Sequence, residues 1–167
     1  MAFQSNIKAL RIIENEHMLI RKMMNDWYEV LNSAKETKEL MPFLFKLKIL
    51  RQKMTIFLEV LEKHQEKEEK YFFKVLEAYV GEIDSPVSNI REEHDEMNQY
   101  FQHFMLHSTA GKELKDYALL LEDLQEGFEI LMVHMYKEES VLFTISEKVL
   151  KKKDEDVLLE SMNTLIY

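Results

Sequence analysis

The chain has 167 residues, the length of one domain with a sizeable core, and 46% of its residues are hydrophobic. It contains only 3 glycines and 2 prolines, too few for the many turns of a sheet protein, so the composition predicts an all-α fold of long helices. The 31 acidic residues outnumber the 22 basic ones, and the net charge of −9 disfavours nucleic acid and anionic membrane surfaces as partners.

Several further classes are excluded by what the sequence lacks. No apolar run approaches the ~20 residues that cross a bilayer, and the N-terminal residues Met1–Ser5 do not begin a signal peptide. The absence of cysteine removes disulfides, thiolate nucleophiles and cysteine-ligated metals. We therefore expect a cytoplasmic protein that makes no contact with a membrane.

Apolar residues recur at helical spacing in four long stretches of the chain. The predicted helices cover residues 5–33, 43–80, 85–108 and 112–149. Because they follow one another through short connections, they predict an antiparallel up-down four-helix bundle over about residues 5–149, within a single domain of residues 1–167. A short fifth helix is predicted at about residues 154–165, where its apolar residues would lie on the bundle or on a partner.

The two halves of the chain repeat a pair of motifs. In the first motif a histidine follows a glutamate directly and an isoleucine by four residues, and it occurs at His17 and His94. In the second motif a glutamate stands four residues after a histidine, and it occurs at His64/Glu68 and His134/Glu138. Two copies are too few for a solenoid, so the repeat predicts a bundle with pseudo-twofold symmetry.

These motifs place metal-ligand atoms together. Residues four apart lie on one face of a helix, so each His/Glu pair presents a nitrogen and an oxygen donor. A buried cluster of imidazoles and carboxylates is costly without a cation, whereas this donor set suits iron or manganese and permits zinc. With two histidines for each of two metals and both glutamates placed to bridge them, positions stay open for water, dioxygen or nitric oxide. The candidate ligands are His17, His64, Glu68, His94, His134 and Glu138.

The number of residues from each candidate histidine to the end of its predicted helix roughly matches between neighbouring helices, except between the second and third helices. His64 lies 17 residues before Gly81, whereas His94 lies only 9 residues after Ser85. This difference amounts to ~12 Å at ~1.5 Å per residue. We expect the second helix to end or bend before Val80, or the connection to fold back.

The order of the motifs resembles that of the hemerythrin-like domains, also called HHE cation-binding domains, over about residues 8–147. The resemblance implies a non-heme di-iron centre with oxo and carboxylate bridges, in which manganese or zinc can substitute. Asn98 stands where oxygen-carrying hemerythrins have a further histidine ligand, and Glu138 or Glu139 stands where they have an aspartate. The resemblance therefore implies a symmetric centre of four histidines and two glutamates, similar to those of iron–sulfur cluster repair proteins and iron sensors.

The function that the resemblance implies is the binding of dioxygen or nitric oxide, or the holding of iron, in sensing, stress protection or iron delivery. The alternative is a di-iron oxidase or reductase acting on oxygen, peroxide or nitric oxide. Ferritin-like proteins need Glu-x-x-His on two helices, and among the four candidate histidines only His17 has a glutamate three residues before it. A metal-free interaction module or homodimer, formed through an exposed apolar tail at residues 157–167, is the remaining hypothesis.

Other residues near the motifs have plainer interpretations. His103 and His107 are expected at the surface or at a helix end. Tyr71 is expected to pack in the core, and Gly127 marks either an access path for gas or metal or a close approach of two helices. Four glutamates next to the candidate ligands are interpreted as solvated helix faces, with the orientation of an imidazole as the alternative: Glu16, Glu69, Glu93 and Glu139.

Overall fold

A computed structural model describes residues 5–109 and 111–166, and every regular element within them is helical. The predicted all-α fold is thereby confirmed. The α-helices are α1 (Lys8–Glu36), α2 (Leu40–Lys67), α3 (Phe73–Val80), α4 (Pro86–His107), α5 (Leu114–Lys137), α6 (Phe143–Val149) and α7 (Lys152–Met162). None of the described helices is both long enough and apolar enough to cross a membrane. Residues 1–4, which belong to the segment Met1–Ser5 where no signal peptide is expected, lie outside the described residues.

The turn between the second and third predicted helices is bounded by a helix cap on each side. α3 ends at Gly81, whose φ of +91° is a conformation that side chains disfavour. α4 begins with Ser85 as its cap and Pro86 in the first helical position. The Ser85 hydroxyl accepts from the Ser88 N–H at 3.1 Å, and the Ser88 hydroxyl accepts from the Ser85 N–H at 2.9 Å. This reciprocal cap satisfies two backbone donors at the helix start.

Two π-helical turns interrupt the second and fourth predicted helices, at Glu68–Phe72 and Glu138–Leu142. In the first turn the Phe73 N–H donates to the Glu68 carbonyl five residues earlier, and the equivalent bond closes the second turn. A π-helical turn accommodates an extra residue, so the adjacent Phe72 and Phe73 are both fully buried. The second predicted helix is therefore interrupted by a π-helical turn after Lys67, and it then continues as an α-helix to Val80 and does not end earlier.

Contacts between the long helices run in opposite order along their sequences. α1 and α2 are joined by ion pairs from Asp26 to Lys53 and from Glu16 to Lys67. Reversed order also holds for two further helix pairs: Lys35 with Gln125 and Arg21 with Glu139 join α1 to the α5 region, and His103 with Asp123 and Glu93 with Lys137 join α4 to α5. Each of these neighbouring helix pairs is antiparallel.

The buried apolar residues form two clusters with a polar layer between them. On α1, Ile13 belongs to the smaller cluster and Ile20 to the larger one, and His17 stands between them. The smaller cluster also contains Phe73 and Phe143 from the segments that follow the π-helical turns. The candidate ligands therefore occupy the boundary between two dry regions of the protein.

The C-terminal segment packs on the chain itself. α7 begins two residues before the predicted position, and its Leu158 and Met162 are fully buried in the smaller cluster. Beyond the helix, Ile166 joins the larger cluster, and the Thr164 carbonyl accepts a hydrogen bond from Lys67. Of the predicted apolar tail, Leu158, Met162 and Ile166 are covered by the bundle, whereas Val157 and Leu165 stay exposed, at 49% and 73%. Tyr167 lies outside the described residues, and an interaction through this segment stays a prediction.

Gly127 is a site of close helix packing and not an open path. A Cβ atom at this position of α5 would lie 2.5 Å from Cε1 of Phe101 on α4. We expect Gly127→Ala to destabilise the protein by about 1–3 kcal/mol, because the methyl group overfills the core. Urea unfolding measures this loss, and the added substitution Phe101→Leu should recover part of it. A gain of about 1 kcal/mol, the usual effect of alanine in a helix, would contradict the close contact.

Candidate metal centre

The structure brings all of the sequence-predicted ligands into one cluster in the polar layer. Each of them is at most 2% exposed. Their ligand atoms form two groups, each within 4.8 Å: His17, His64, Glu68 and Glu138 in one, and Glu68, His94, His134 and Glu138 in the other. Both glutamates belong to both groups, so the arrangement is two sites that share two carboxylates.

The rings of the four histidines form two close pairs. The rings of His17 and His64 lie 4.9 Å apart, and those of His94 and His134 lie 4.6 Å apart. His94 stacks on Phe73, well beyond His64 along the second predicted helix, at a centroid distance of 5.6 Å.

The two glutamates connect the histidine pairs. Glu68 places Oε1 at 3.9 Å from Nε2 of His17 and Oε2 at 3.6 Å from Nε2 of His94. Glu138 places Oε1 at 3.7 Å from Nε2 of His17 and Oε2 at 3.2 Å from Nε2 of His134. Each carboxylate therefore offers one oxygen to each group.

One side of the cluster is carboxylate and the other is apolar. The glutamates lie one turn from the histidines toward the smaller cluster, because they follow His64 and His134 by four residues. On the other side of the histidines, toward the larger cluster, each helix places an apolar residue three positions from its histidine. Each of these residues is at most 1% exposed. These four residues, here called the apolar layer, are Ile20, Leu61, Met97 and Leu131.

Each candidate histidine ligand also forms a hydrogen bond, through Nδ1, with a glutamate on a neighbouring helical segment. The Nδ1 atoms form these contacts at 2.8–3.1 Å. The pairs are His17 with Glu139, His64 with Glu16, His94 with Glu69, and His134 with Glu93. The interpretation of these glutamates as solvated helix faces is therefore wrong, and the orientation of an imidazole, the stated alternative, is what the structure shows. Binding at Nδ1 leaves Nε2 of every ring facing the shared carboxylates.

Sequence adjacency explains where these supporting glutamates point. A residue next to a ligand is rotated by about 100° from it, which in a tight bundle aims it at the neighbouring helix. Three of the four are also paired with a cation: Lys67 with Glu16 at 2.6 Å, Arg21 with Glu139 at 3.1 Å, and Lys137 with Glu93 at 2.5 Å. Lys67 and Glu16 are themselves buried.

Without metal, the electrostatics of the cluster favour bound protons. Burial lowers the pKa of His64, but the Glu68 charge and the bond to Glu16 outweigh it and raise that pKa to about 10. Burial likewise lowers the pKa of His134, and hydrogen bonds to carboxylates raise it to about 9. Burial and the neighbouring Glu68 carboxylate raise the pKa of Glu138. Burial acts to raise the pKa of Glu68 too, but the surrounding imidazoles hold it well below its usual value.

These pKa values predict that the metal-free protein loses stability as the pH rises. An unfolded histidine titrates near pH 6.5, whereas His64 and His134 keep their protons to about pH 10 and 9. The protons therefore stabilise the folded state below pH 6.5, and this contribution disappears as the pH rises through 9 and 10. Urea midpoints measured at pH 7 and pH 10 should fall for metal-free protein and change less for metal-loaded protein. A metal-free midpoint that is unchanged or higher at pH 10 would contradict this coupling.

The donor atoms of the cluster fit metal cations. Within the described residues, Nε2 of His17 and all four carboxylate oxygens of Glu68 and Glu138 are buried without a well-formed hydrogen bond, although the Glu68 carboxylate contacts His64 closely. Buried carboxylates without partners are costly, and cations shared between the two groups would satisfy them. Imidazole nitrogen together with carboxylate oxygen suits iron, manganese or zinc.

The remaining residues singled out in the sequence lie outside the cluster. His103 and His107 are exposed, as expected, and His103 pairs with Asp123 at 2.6 Å. Tyr71 is 38% exposed, so its expected place in the core is wrong. It falls inside the first π-helical turn, which shifts the residues after Glu68 relative to a regular helix.

The comparison with protein families agrees with this geometry. The chain matches the family model of the hemerythrin HHE cation-binding domain over residues 8–145. This match covers most of the chain, so the protein belongs to the hemerythrin HHE cation-binding domain family, as the motif order predicts. Neither the curated proteins nor the solved structures that were compared gave a match. Family membership and the buried His/Glu cluster together indicate a cation-binding site in a helical bundle.

Proposed function

We propose that the protein binds two iron ions, one in each group of ligands, and that this centre binds dioxygen or nitric oxide in sensing, stress protection or iron delivery. The ligands are His17, His64, Glu68, His94, His134 and Glu138, with both glutamates as bridges. The proposal treats residues 1–167 as one domain in which the long helices form an up-down four-helix bundle. The antiparallel contacts between neighbouring helices support that topology.

The observation that carries the proposal is the sharing of both carboxylates by two otherwise separate histidine pairs. A single metal would need only one of the groups, whereas two metals use every buried donor atom of the cluster. Cations at these positions would take the place of the protons that the metal-free imidazoles retain. The cations would supply lasting positive charge to two carboxylates at 0% exposure, for which the surrounding apolar clusters offer none.

The surroundings of the cluster favour a small uncharged ligand. When bound, reduced iron supplies open coordination positions and electrons for a diatomic gas. The chain itself supplies the apolar layer, whose side chains exclude water and hold no hydrogen-bond donor for an anion, since the thioether of Met97 is only a weak acceptor. The glutamates behind the imidazoles fix the orientation of each ring, so the metal positions stay fixed when a ligand arrives.

Asn98 supports a symmetric division of the ligands. It stands four residues after His94, at the position of the additional histidine of oxygen carriers, but its amide pairs with Gln65 instead of facing the cluster. Each metal therefore receives two histidines and shares two glutamates. The proposal accordingly gives the two irons equivalent protein ligands.

An anaerobic gas titration tests the proposed function. Protein loaded with ferrous iron is titrated with nitric oxide, and separately with dioxygen, while metal content and the ultraviolet–visible spectrum are recorded. We expect saturable binding with a new absorption band and no continuing gas consumption when an electron donor is added. Continuing consumption would replace this proposal with the oxidase or reductase. An iron-loaded protein that binds neither gas would contradict gas binding and leave a protein that holds iron.

A further inference from the structure

Two side-chain amides pair between α2 and α4 next to the candidate metal centre. Nδ2 of Asn98 donates to Oε1 of Gln65 at 2.8 Å, and Nε2 of Gln65 donates back to Oδ1 of Asn98 at 3.3 Å. Gln65 is only 7% exposed and directly follows His64, while Asn98 lies one helical turn after His94. We call this the amide pair.

The amide pair lies between a surface groove and Met97, a member of the apolar layer. Outside it lies a groove of about 360 Å³ between α2 and α4, whose walls include Leu58, Glu62 and Gln102. Leu61, a member of the apolar layer, also lines this groove. On the inner side, Nε2 of Gln65 reaches Sδ of Met97, another member of the layer, at 3.4 Å. The amide pair therefore forms a polar boundary between this groove and the apolar layer at Met97.

The pseudo-twofold symmetry of the bundle shows that the amide pair is present on one side only. When the two halves of the sequence are aligned at His64 and His134, Gln65 corresponds to Met135, which is fully buried in the larger cluster. When they are aligned at His94 and His17, Asn98 corresponds to Arg21, which forms an ion pair with Glu139. At the equivalent interface an apolar side chain and an ion pair thus occupy the positions of the two amides.

The bonds of the amide pair are of the kind that break readily. Hydrogen bonds between neutral amides contribute little net stability each, and the thioether that Gln65 contacts is a weak acceptor. A methionine at this position, as in the other half of the chain, would close the boundary without polar groups. The two amides therefore form a boundary that opens at low cost. The symmetry-related interface of α1 and α5 has no such pair of amides.

We propose that the amide pair is the entrance through which small uncharged ligands pass from the α2–α4 groove to the open side of the metal centre. This proposal rests on the proposed metal centre for its purpose, but the entrance itself is a property of the chain. Glu59 and Glu62 on the groove walls add negative charge, so the entrance favours uncharged molecules over anions. Opening requires only that the two amides separate.

Gas-binding kinetics test the entrance directly. In ferrous protein, Asn98→Ala should raise the association and dissociation rate constants of nitric oxide several-fold each and leave their ratio unchanged, because an entrance alters rates and not affinity. Gln102→Phe, which fills the groove from an exposed position, should slow both rates. The matched control is Asn25→Phe at the exposed symmetry-related position of α1, which should leave both rates unchanged.

A second measurement decides the question even if the protein binds no gas at its metals. Trp27 is the only tryptophan of the chain, is 1% exposed, and contacts Phe101 in the larger cluster. Quenching of its fluorescence by dissolved dioxygen, in zinc-loaded protein and in protein as purified, reports access to the same interior. Asn98→Ala should raise the quenching constant, Gln102→Phe should lower it, and iodide should quench far less than dioxygen.

The results of the two measurements separate the entrance from the proposed function. Unchanged gas rates and unchanged quenching in both variants, with normal metal content, would overturn the entrance while leaving gas binding intact. Changes in Asn25→Phe equal to those in Gln102→Phe would also overturn it, since they would show that the route is not confined to the amide pair. Absence of gas binding together with altered quenching would overturn the function and retain the entrance.

Discussion

The double variant His64→Ala, His134→Ala is expected to bind iron at least ~100-fold more weakly than the unaltered chain. Loss of a group that only supports a ligand already costs about 10–100-fold in metal affinity, and this variant removes one nitrogen donor from each ligand group. It also leaves Glu68 and Glu138 without their nearest imidazoles at 0% exposure. Metal content after incubation with ferrous iron, measured by mass spectrometry, gives the result.

The matched control for this variant is His103→Ala. His103 is exposed and pairs with Asp123, far from the cluster, so its replacement should leave the metal content unchanged. Circular dichroism of both variants establishes that the helices persist. A folded double variant that retains its full metal content would show that these histidines are not ligands.

Glu16→Gln is expected to have the second largest effect, because Glu16 satisfies two buried groups at once. Its carboxylate binds Nδ1 of His64 at 2.9 Å and Nζ of Lys67 at 2.6 Å. A neutral amide weakens the support of His64, which should lower the metal affinity by about 10–100-fold. It also leaves the buried ammonium of Lys67 without its counter-charge, which should cost about 3–5 kcal/mol in stability.

Glu69→Gln provides the comparison within the same set of supporting glutamates. Glu69 binds Nδ1 of His94 at 2.8 Å, but its side chain is 38% exposed, so solvent compensates for much of the lost charge. We expect a smaller loss of metal affinity, below about tenfold, and little change in the urea midpoint. Equal effects of the two substitutions on stability would contradict the assigned importance of burial at Glu16.

The clustering of the candidate ligands could be predicted from the sequence because their pattern is local. A histidine and a glutamate four residues apart share a helix face whatever the tertiary structure, and the repeat gives two such pairs, at His64/Glu68 and His134/Glu138. Helix ends with strong capping chemistry, such as Ser85 with Pro86, were equally predictable. The shared burial of all the ligands then follows from the apolar residues that flank them at helical spacing.

The π-helical turns and the supporting glutamates depend on tertiary contacts that a helical period does not contain. A strict 3.6-residue period predicts Tyr71 on the buried face, whereas the extra residue in the turn exposes it and buries Phe72 and Phe73 together. The paired apolar residues after each ligand glutamate, also seen at Leu142 and Phe143, were the available indication. The supporting glutamates look like surface residues because the sequence of one helix does not show that an imidazole of a neighbouring segment lies 2.8–3.1 Å from the carboxylate.

The C-terminal segment and Gly127 show the same limitation. The apolar residues after the fourth helix are compatible with a partner or with the bundle, and only the packing of Leu158 and Met162 decides for the bundle. Gly127 was ambiguous because a missing side chain can create either space or contact. The ring of Phe101 fills that space from α4, a pairing that the sequence of α5 alone does not contain.

Anomalous diffraction at the iron absorption edge, from crystals of the protein loaded with ferrous iron, tests the central claim most directly. The account predicts two peaks inside the polar layer, one beside His17 and His64 and the other beside His94 and His134, with Glu68 and Glu138 between them. A well-folded crystal with no peak in this layer, or with a single peak bound by only one histidine pair, would contradict the shared-carboxylate centre.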